Sequence, residues 1–242
     1  MQLKYGVYNN FGMDKDKLED LIMFASSKDG SYKTLAEYVK DMKEGQKEIY
    51  YACGESVAKI DLLPQVEAVK DKGYEILYCT EYVDEFTIMT LRKYKDFEFK
   101  NVCNDSIDLD TKEEKEELAK KNDEAKDMFK TMAEAVSEVK SIRFTNKLKN
   151  HPVCLSSDGE ISVEMEKAMN AMPFDNDVKA SKVLEINENH PIAKKLENLY
   201  NTDKEELKNM TKVLYAQARL IEGLSIENPT EISNLICEYL SK

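Results

Sequence analysis

Apolar and polar positions along the chain follow two periods in alternation. Asp14 can cap a helix in which Leu18, Leu21, Ile22 and Ala25 recur at helical spacing. Thr34 and Glu37 form a capping-box pattern, which predicts a helix reaching Met42. The run Glu48, Ile49, Tyr50, Tyr51, Ala52 is aromatic and β-branched and predicts a strand. A helical stretch follows, and Gly73 closes it as a C-cap glycine. Residues 74–79 predict the next strand, Val83, Phe86 and Thr90 share one face of another helix, and residues 97–102 predict a third strand. Strand, helix, strand, helix, strand implies a small parallel sheet with right-handed crossovers.

The pattern then breaks. Residues 108–126 are nearly all charged, with no Pro or Gly, and read as a solvated linker running into an exposed helix. They set a boundary between domains 1–108 and 109–242. Beyond it, Met128, Met132, Ala135 and Val139 make a helical stripe, and 141–145 and 153–156 read as strands. A helix at 161–172 and a strand at 183–187 precede three helices at 191–200, 204–222 and 229–240. Pro229 opens the last, where its missing N–H costs nothing. The expected class is α+β in two domains: a small αβα three-layer subdomain with a short parallel sheet, then a mixed α/β domain ending in helices.

Composition adds exclusions. The 242 residues are 42% hydrophobic, enough for a sizeable core, and carry a formal net charge of -12. That charge argues against nucleic acid and against anionic membrane surfaces, both of which need a basic face. No apolar run reaches the roughly 18 residues of a membrane span, and the start of the chain has no signal-peptide core, so a cytoplasmic location is expected. Cys53, Cys79, Cys103, Cys154 and Cys237 are scattered and never form CxxC, which reads as reduced thiols.

Candidate chemistry is sparse. His151 and His190 each precede a Pro, lack carboxylate or thiol neighbours at ligand spacing, and read as structural. No HExxH, GxSxG, GxxxxGK or GxGxxG occurs. A parallel sheet raises the idea of a nucleotide at the strand ends. The segments there, Cys53-Gly54-Glu55-Ser56 and Thr80-Glu81-Tyr82, are acidic and would repel phosphate. Two features stand out. Met165, Met169 and Met172 share a helix face that starts at Ile161 and runs into Phe174. Such a face suits varied partners, although the pattern by itself favours ordinary core packing. The terminal helices carry wide apolar stripes: Leu207, Met210, Leu214, Gln217 and Ile221 with Val213 and Leu220 beside them, then Ile232, Leu235, Ile236, Tyr239 and Leu240. These stripes can pack within the monomer or against a second copy as a four-helix bundle, and the pattern leaves both open.

Four ordered blocks carry a resemblance. They are Leu35-Ala36-Glu37-Tyr38-Val39 through Met42 to Gln46 and Ile49-Tyr50-Tyr51; Lys72-Gly73-Tyr74-Glu75-Ile76-Leu77 with Val83-Asp84-Glu85-Phe86; ISVEMEKAMNAMP at 161–173; and Leu184-Glu185-Ile186-Asn187 with His190-Pro191. Together they resemble the 90-kDa heat-shock protein chaperones, the third block being most like the bacterial members. The resemblance spans almost the whole chain. It implies that residues to about 108 are the small αβα part of the family's middle domain and the rest its C-terminal dimerisation domain. The last two helices would then form an intermolecular bundle through the stripe residues above, making the chain a homodimer. Ile161, Met165, Met169, Met172 and Phe174 would contact unfolded or partly folded client proteins.

The family's ATPase motifs, its catalytic Glu, Mg²⁺-holding Asn and Gly-rich lid, are not found in this sequence. The resemblance thus implies a non-enzymatic fragment without a cofactor or metal of its own, ATP and Mg²⁺ belonging to a longer parent. The acidic terminal peptide of eukaryotic cytosolic members is also missing, in keeping with a bacterial origin. Two rival classes are a small α/β nucleotide-using enzyme, disfavoured by the lack of a Gly-rich loop, and a purely structural dimerisation module, for which the Met face would matter only to stability.

Overall fold

The computed structural model describes residues 1–104, 107, 109–172 and 178–241. The chain forms two compact units, Met1–Ile107 with Glu164–Val178, and Asp108–Val163 with Lys179–Lys242.

In chain order the first unit holds α1 (Gln2–Tyr8), α2 (Lys15–Leu18), β1 (Met23–Ser26), β2 (Tyr32–Thr34), α3 (Leu35–Asp41), β3 (Glu48–Cys53), α4 (Val57–Asp61), α5 (Pro64–Asp71), β4 (Leu77–Cys79), α6 (Tyr82–Leu91), β5 (Lys93–Tyr94) and β6 (Phe97–Asn101). The sheet order is β2-β1-β4-β3-β6-β5. The three strands expected from the pattern do pair in parallel, with β3 between β4 and β6. The sheet is nevertheless mixed, because β1 joins β4 antiparallel, β2 joins β1, and β5 joins β6.

The helix expected over 14–25 is corrected by this sheet. Only Lys15–Leu18 is helical, Leu21 is exposed, and Met23–Ser26 is a strand with neighbours on both sides. The turn that pairs β1 with β2 holds Gly30 at φ 73°, and Asp29 Oδ1 accepts hydrogen bonds from the Ser31 N–H and hydroxyl. A four-residue strand is too short to show its own period, and four apolar residues at helical spacing masked it.

Local chemistry explains the rest of this unit. Thr34 and Glu37 complete a reciprocal capping box on α3. Gly73 sits at φ 73° and ends α5 with the paired bonds of a Schellman motif, Gly73 N to Lys70 O and Tyr74 N to Val69 O. The core gathers Phe24, Leu35, Tyr38, Ile49, Leu77 and Ile88, all buried.

The second unit holds α7 (Lys112–Glu124), α8 (Lys126–Ala133), β7 (Val139–Thr145), β8 (Val153–Ser157), β9 (Lys182–Asn187), α10 (Pro191–Thr202), α11 (Lys204–Ile221) and α12 (Pro229–Ser241). Between β8 and β9 the chain forms a further helix, α9 (Val163–Asn170), which from Glu164 onward belongs to the first unit. Strand β9 lies between β7, parallel to it, and β8, antiparallel to it. Helix α7 buries none of its residues, as its charge demands. The stripe read from Met128 to Val139 is split, because the helix ends at Ala133 and Val139 opens β7. The core joins Met128, Met132, Phe144, Leu155, Leu184, Ile186, Leu196 and Leu207. His190 is structural: its Nδ1 accepts from the Ile192 N–H at 3.2 Å and caps α10, with Pro191 following. Both sheets mix parallel and antiparallel pairs, in agreement with the α+β expectation.

Candidate functional site

Chain topology makes a cleft in the first unit. From β3 the chain steps to one side, to β4, then crosses back over β3 to β6. With right-handed crossovers, opposite steps place the connecting helices on opposite faces, which opens a crevice at the carboxyl ends of the strands. A cavity of about 320 Å³ lies there, between Cys53, Gly54 and Glu55 after β3 and Cys79, Thr80, Glu81 and Tyr82 after β4. Glu85 and Phe86 of α6 line one wall, and Glu164, Met165 and Ala168 of the Val163–Asn170 helix line the other.

The lining mixes apolar side chains with four carboxylates, Glu55, Glu81, Glu85 and Glu164. Lys59 pairs with Glu55 and holds its carboxyl below the usual range. Glu164 pairs with Lys167, and Glu81 lies 3.2 Å from Lys4. Buried Glu85 accepts from Asn101 Nδ2 at 3.1 Å. Among the described residues that line the cleft there is no Lys or Arg. Burial pushes the Cys53 thiol well up and the Cys79 thiol up as well.

The Met face is graded along its helix. Met165 is 3% exposed, Met169 is half-buried, and Met172 just past the helix is 42% exposed. Asn170 fastens the far end, donating from Nδ2 to the Val178 carbonyl and accepting from its N–H. Ile161 is half-buried in the second unit, and Phe174 lies outside the described residues. Tyr82, 76% exposed, stands at the cleft edge.

The terminal stripes divide. Leu207, Met210 and Leu214 are buried in the core of their own unit, Leu235 is buried, and Tyr239 packs partly against the same core. Val213, Ile221 and Ile232 are half-buried and Gln217 is exposed. Leu220, Ile236 and Leu240 remain exposed, at 61%, 41% and 83%. The connection between α11 and α12 is tied by Arg219, which donates to the Ser225 carbonyl at 2.7 Å and pairs with Glu138, and by Lys212 to Glu231 at 2.6 Å.

From the sequence, both strand ends are too acidic for a phosphate, and nothing in the pattern joins them to the Met helix. In the sequence Phe86 marks a helix face and both Glu85 and Phe86 belong to the second ordered block, but neither is tied to the strand ends. The signal was present in the strand-end segments, but only the packed chain brings residues 53–55, 79–86 and 164–168 together.

Among the described residues no group of three or more His, Cys, Asp or Glu is arranged to hold a metal ion. None of the described helices is long and apolar enough to cross a membrane.

Fold and cleft define an α+β protein of two units, with a groove of mixed apolar and acidic lining at the strand ends of the first. The model of the Hsp90 protein family matches residues 1–242, so the chain belongs to that family. It is 51% identical over 240 residues to the chaperone protein HtpG of Clostridium botulinum (strain Langeland), 52% to that of Clostridium perfringens (strain 13) and 50% to that of Bacillus subtilis (strain 168). Each comparison covers 99% of this chain but 38% of the relative, so the chain spans well under half the length of those proteins.

Proposed function

We propose that this chain is the client-contacting and self-associating part of a bacterial molecular chaperone that acts in the cytoplasm. Unfolded or partly folded proteins would enter the cleft at the strand ends. The observation that carries this reading is the grouping of the apolar side chains Phe86, Met165 and Ala168 in the lining of one cleft, with Tyr82 exposed there and Met172 exposed farther along the chain from Met165. Methionine and aromatic side chains adapt to many apolar partners, and the carboxylates of the lining favour segments in which basic residues flank apolar ones. Residues 1–108 would serve as the small part of the family's middle domain and 109–242 as its dimerisation domain. The apolar residues left exposed on α11 and α12 support a second copy of the chain as partner.

The cleft does not fit a nucleotide. Its lining includes Glu55, Glu81, Glu85 and Glu164 and, among the described residues, no Lys or Arg to meet a triphosphate. ATP and Mg²⁺ would therefore act in another part of the longer protein, and this chain would supply no catalytic group.

Replacing Tyr82, Met169 and Met172 together by Ser tests the client cleft. We expect several-fold more of the variant to be needed to suppress aggregation of a heat-denatured client, with the melting temperature little changed. Unchanged suppression would overturn the reading and leave a structural association module in its place.

A further inference from the structure

Cys53 closes β3 and Cys79 closes β4, and the two are direct partners in the parallel ladder. Side chains paired in this way leave the sheet on the same face, and neighbouring strands lie about 4.8 Å apart. That spacing falls inside the roughly 4.4–6.8 Å Cα separation a disulfide spans. Each thiol influences the ionisation of the other. Both residues line the cleft, which leads a small solute toward them, although each is buried. No disulfide joins any of the chain's cysteines. We infer that Cys53 and Cys79 are a redox pair, closed to a reversible disulfide by a hydroperoxide that enters the cleft.

The chemistry balances with hydrogen peroxide as oxidant. One thiol, as thiolate, attacks a peroxide oxygen, breaks the O–O bond and becomes a sulfenic acid while one water leaves. The second thiol attacks that sulfur, forms the S–S bond and releases a second water. Two thiols give up two electrons and two protons, and one peroxide becomes two waters. Burial holds both thiols above their ordinary range, so closure is slow at neutral pH. It accelerates about tenfold per pH unit as the thiolate fraction grows. The bond would tie together the loops that carry Glu55 on one side and Glu81 and Tyr82 on the other, changing the groove lining. That last effect rests on the client-cleft reading, whereas formation of the bond does not.

The test treats the whole chain with hydrogen peroxide at pH 7 and pH 8.5, blocks remaining thiols and digests it with trypsin without reduction. We expect peptide 48–59 to appear linked to peptide 73–92, sooner at pH 8.5. The link should vanish with dithiothreitol, which does not reverse methionine oxidation, and should be absent from Cys53→Ala and Cys79→Ala. Recovery of both peptides blocked, or singly oxidised without a link, overturns the assignment. With the link formed, client suppression should change in the wild-type chain, return with dithiothreitol, and stay unresponsive to dithiothreitol in Cys53→Ala. A formed link with unaltered suppression overturns the coupling to the groove, while the Tyr82, Met169 and Met172 variant judges the client cleft separately.

Discussion

Lys4 shows how one side chain ties distant chain segments together. It is buried, with its ammonium 2.6 Å from Asp84, 3.2 Å from Glu81 and 4.3 Å from the centre of the Phe24 ring. Burial works against its charge, but Asp84 outweighs that and holds the ammonium above its ordinary value. Burial also pushes the Asp84 carboxyl up, and Lys4 offsets this only in part. Removing one member of a buried pair costs more than the pair contributes, because the other charge is left stranded. Lys4→Met should therefore destabilise the fold by about 3–5 kcal/mol in urea titrations at neutral pH. A carboxyl raised in the folded state favours folding while protonated, and that stability is lost as pH rises through its folded value. The gap between variant and wild type should thus narrow as pH falls toward 4. A constant gap across that range would show that the stranded Asp84 charge is not the cause.

Helix ends were the most legible elements, because their chemistry is local. Thr34 Oγ1 accepts from the Glu37 N–H at 3.2 Å, and Glu37 accepts from the Thr34 N–H at 2.8 Å. The bonds that the Glu37 carboxyl accepts, first from the Thr34 N–H and then from the Thr34 hydroxyl at 2.9 Å, hold it below its usual range. Thr34→Ala should cost about 1 kcal/mol in denaturant unfolding, with the slope unchanged. No loss would mean that the box is decorative. The same locality explains why Gly73, Pro229 and the three terminal helices were readable from the chain. Strands β1, β2 and β5 were not, because β1 lies within apolar residues at helical spacing and β2 and β5 are three and two residues long and exist through partners on other strands. Met165, Met169 and Met172 were recognised as one face, but their unequal burial depends on what the fold sets against them.

Across the molecule, the terminal stripes have two uses. Leu207, Met210 and Leu214 fill the core of the second unit, so substituting them would unfold it. Exposed apolar groups on α11 and α12 serve no such purpose within the protomer, and the proposed self-association assigns them to a second copy. Ile236→Glu with Leu240→Glu separates the two uses. Sedimentation equilibrium should give a dimer for the unaltered chain and a monomer for the double variant, with circular dichroism and melting of the protomer nearly unchanged. A monomeric unaltered chain would overturn self-association through these helices.

Local and periodic properties were set by the order of residues alone. They include the capping box of α3, the glycine that ends α5, the stripes of the terminal helices, the charged face of α7 and, through four ordered blocks, membership of the Hsp90 family. All of these depend on residues a few positions apart, or on motifs whose order survives without knowledge of the fold. Packing decided the rest. It placed the Met helix with the first unit, brought Cys53 beside Cys79, sank Lys4 against Asp84 and divided the terminal stripe into core and surface. Each of these pairs residues far apart in sequence. Such contacts form only when burial of apolar area across a whole unit outweighs the entropy of closing the chain between them, and no short window of residues contains that balance.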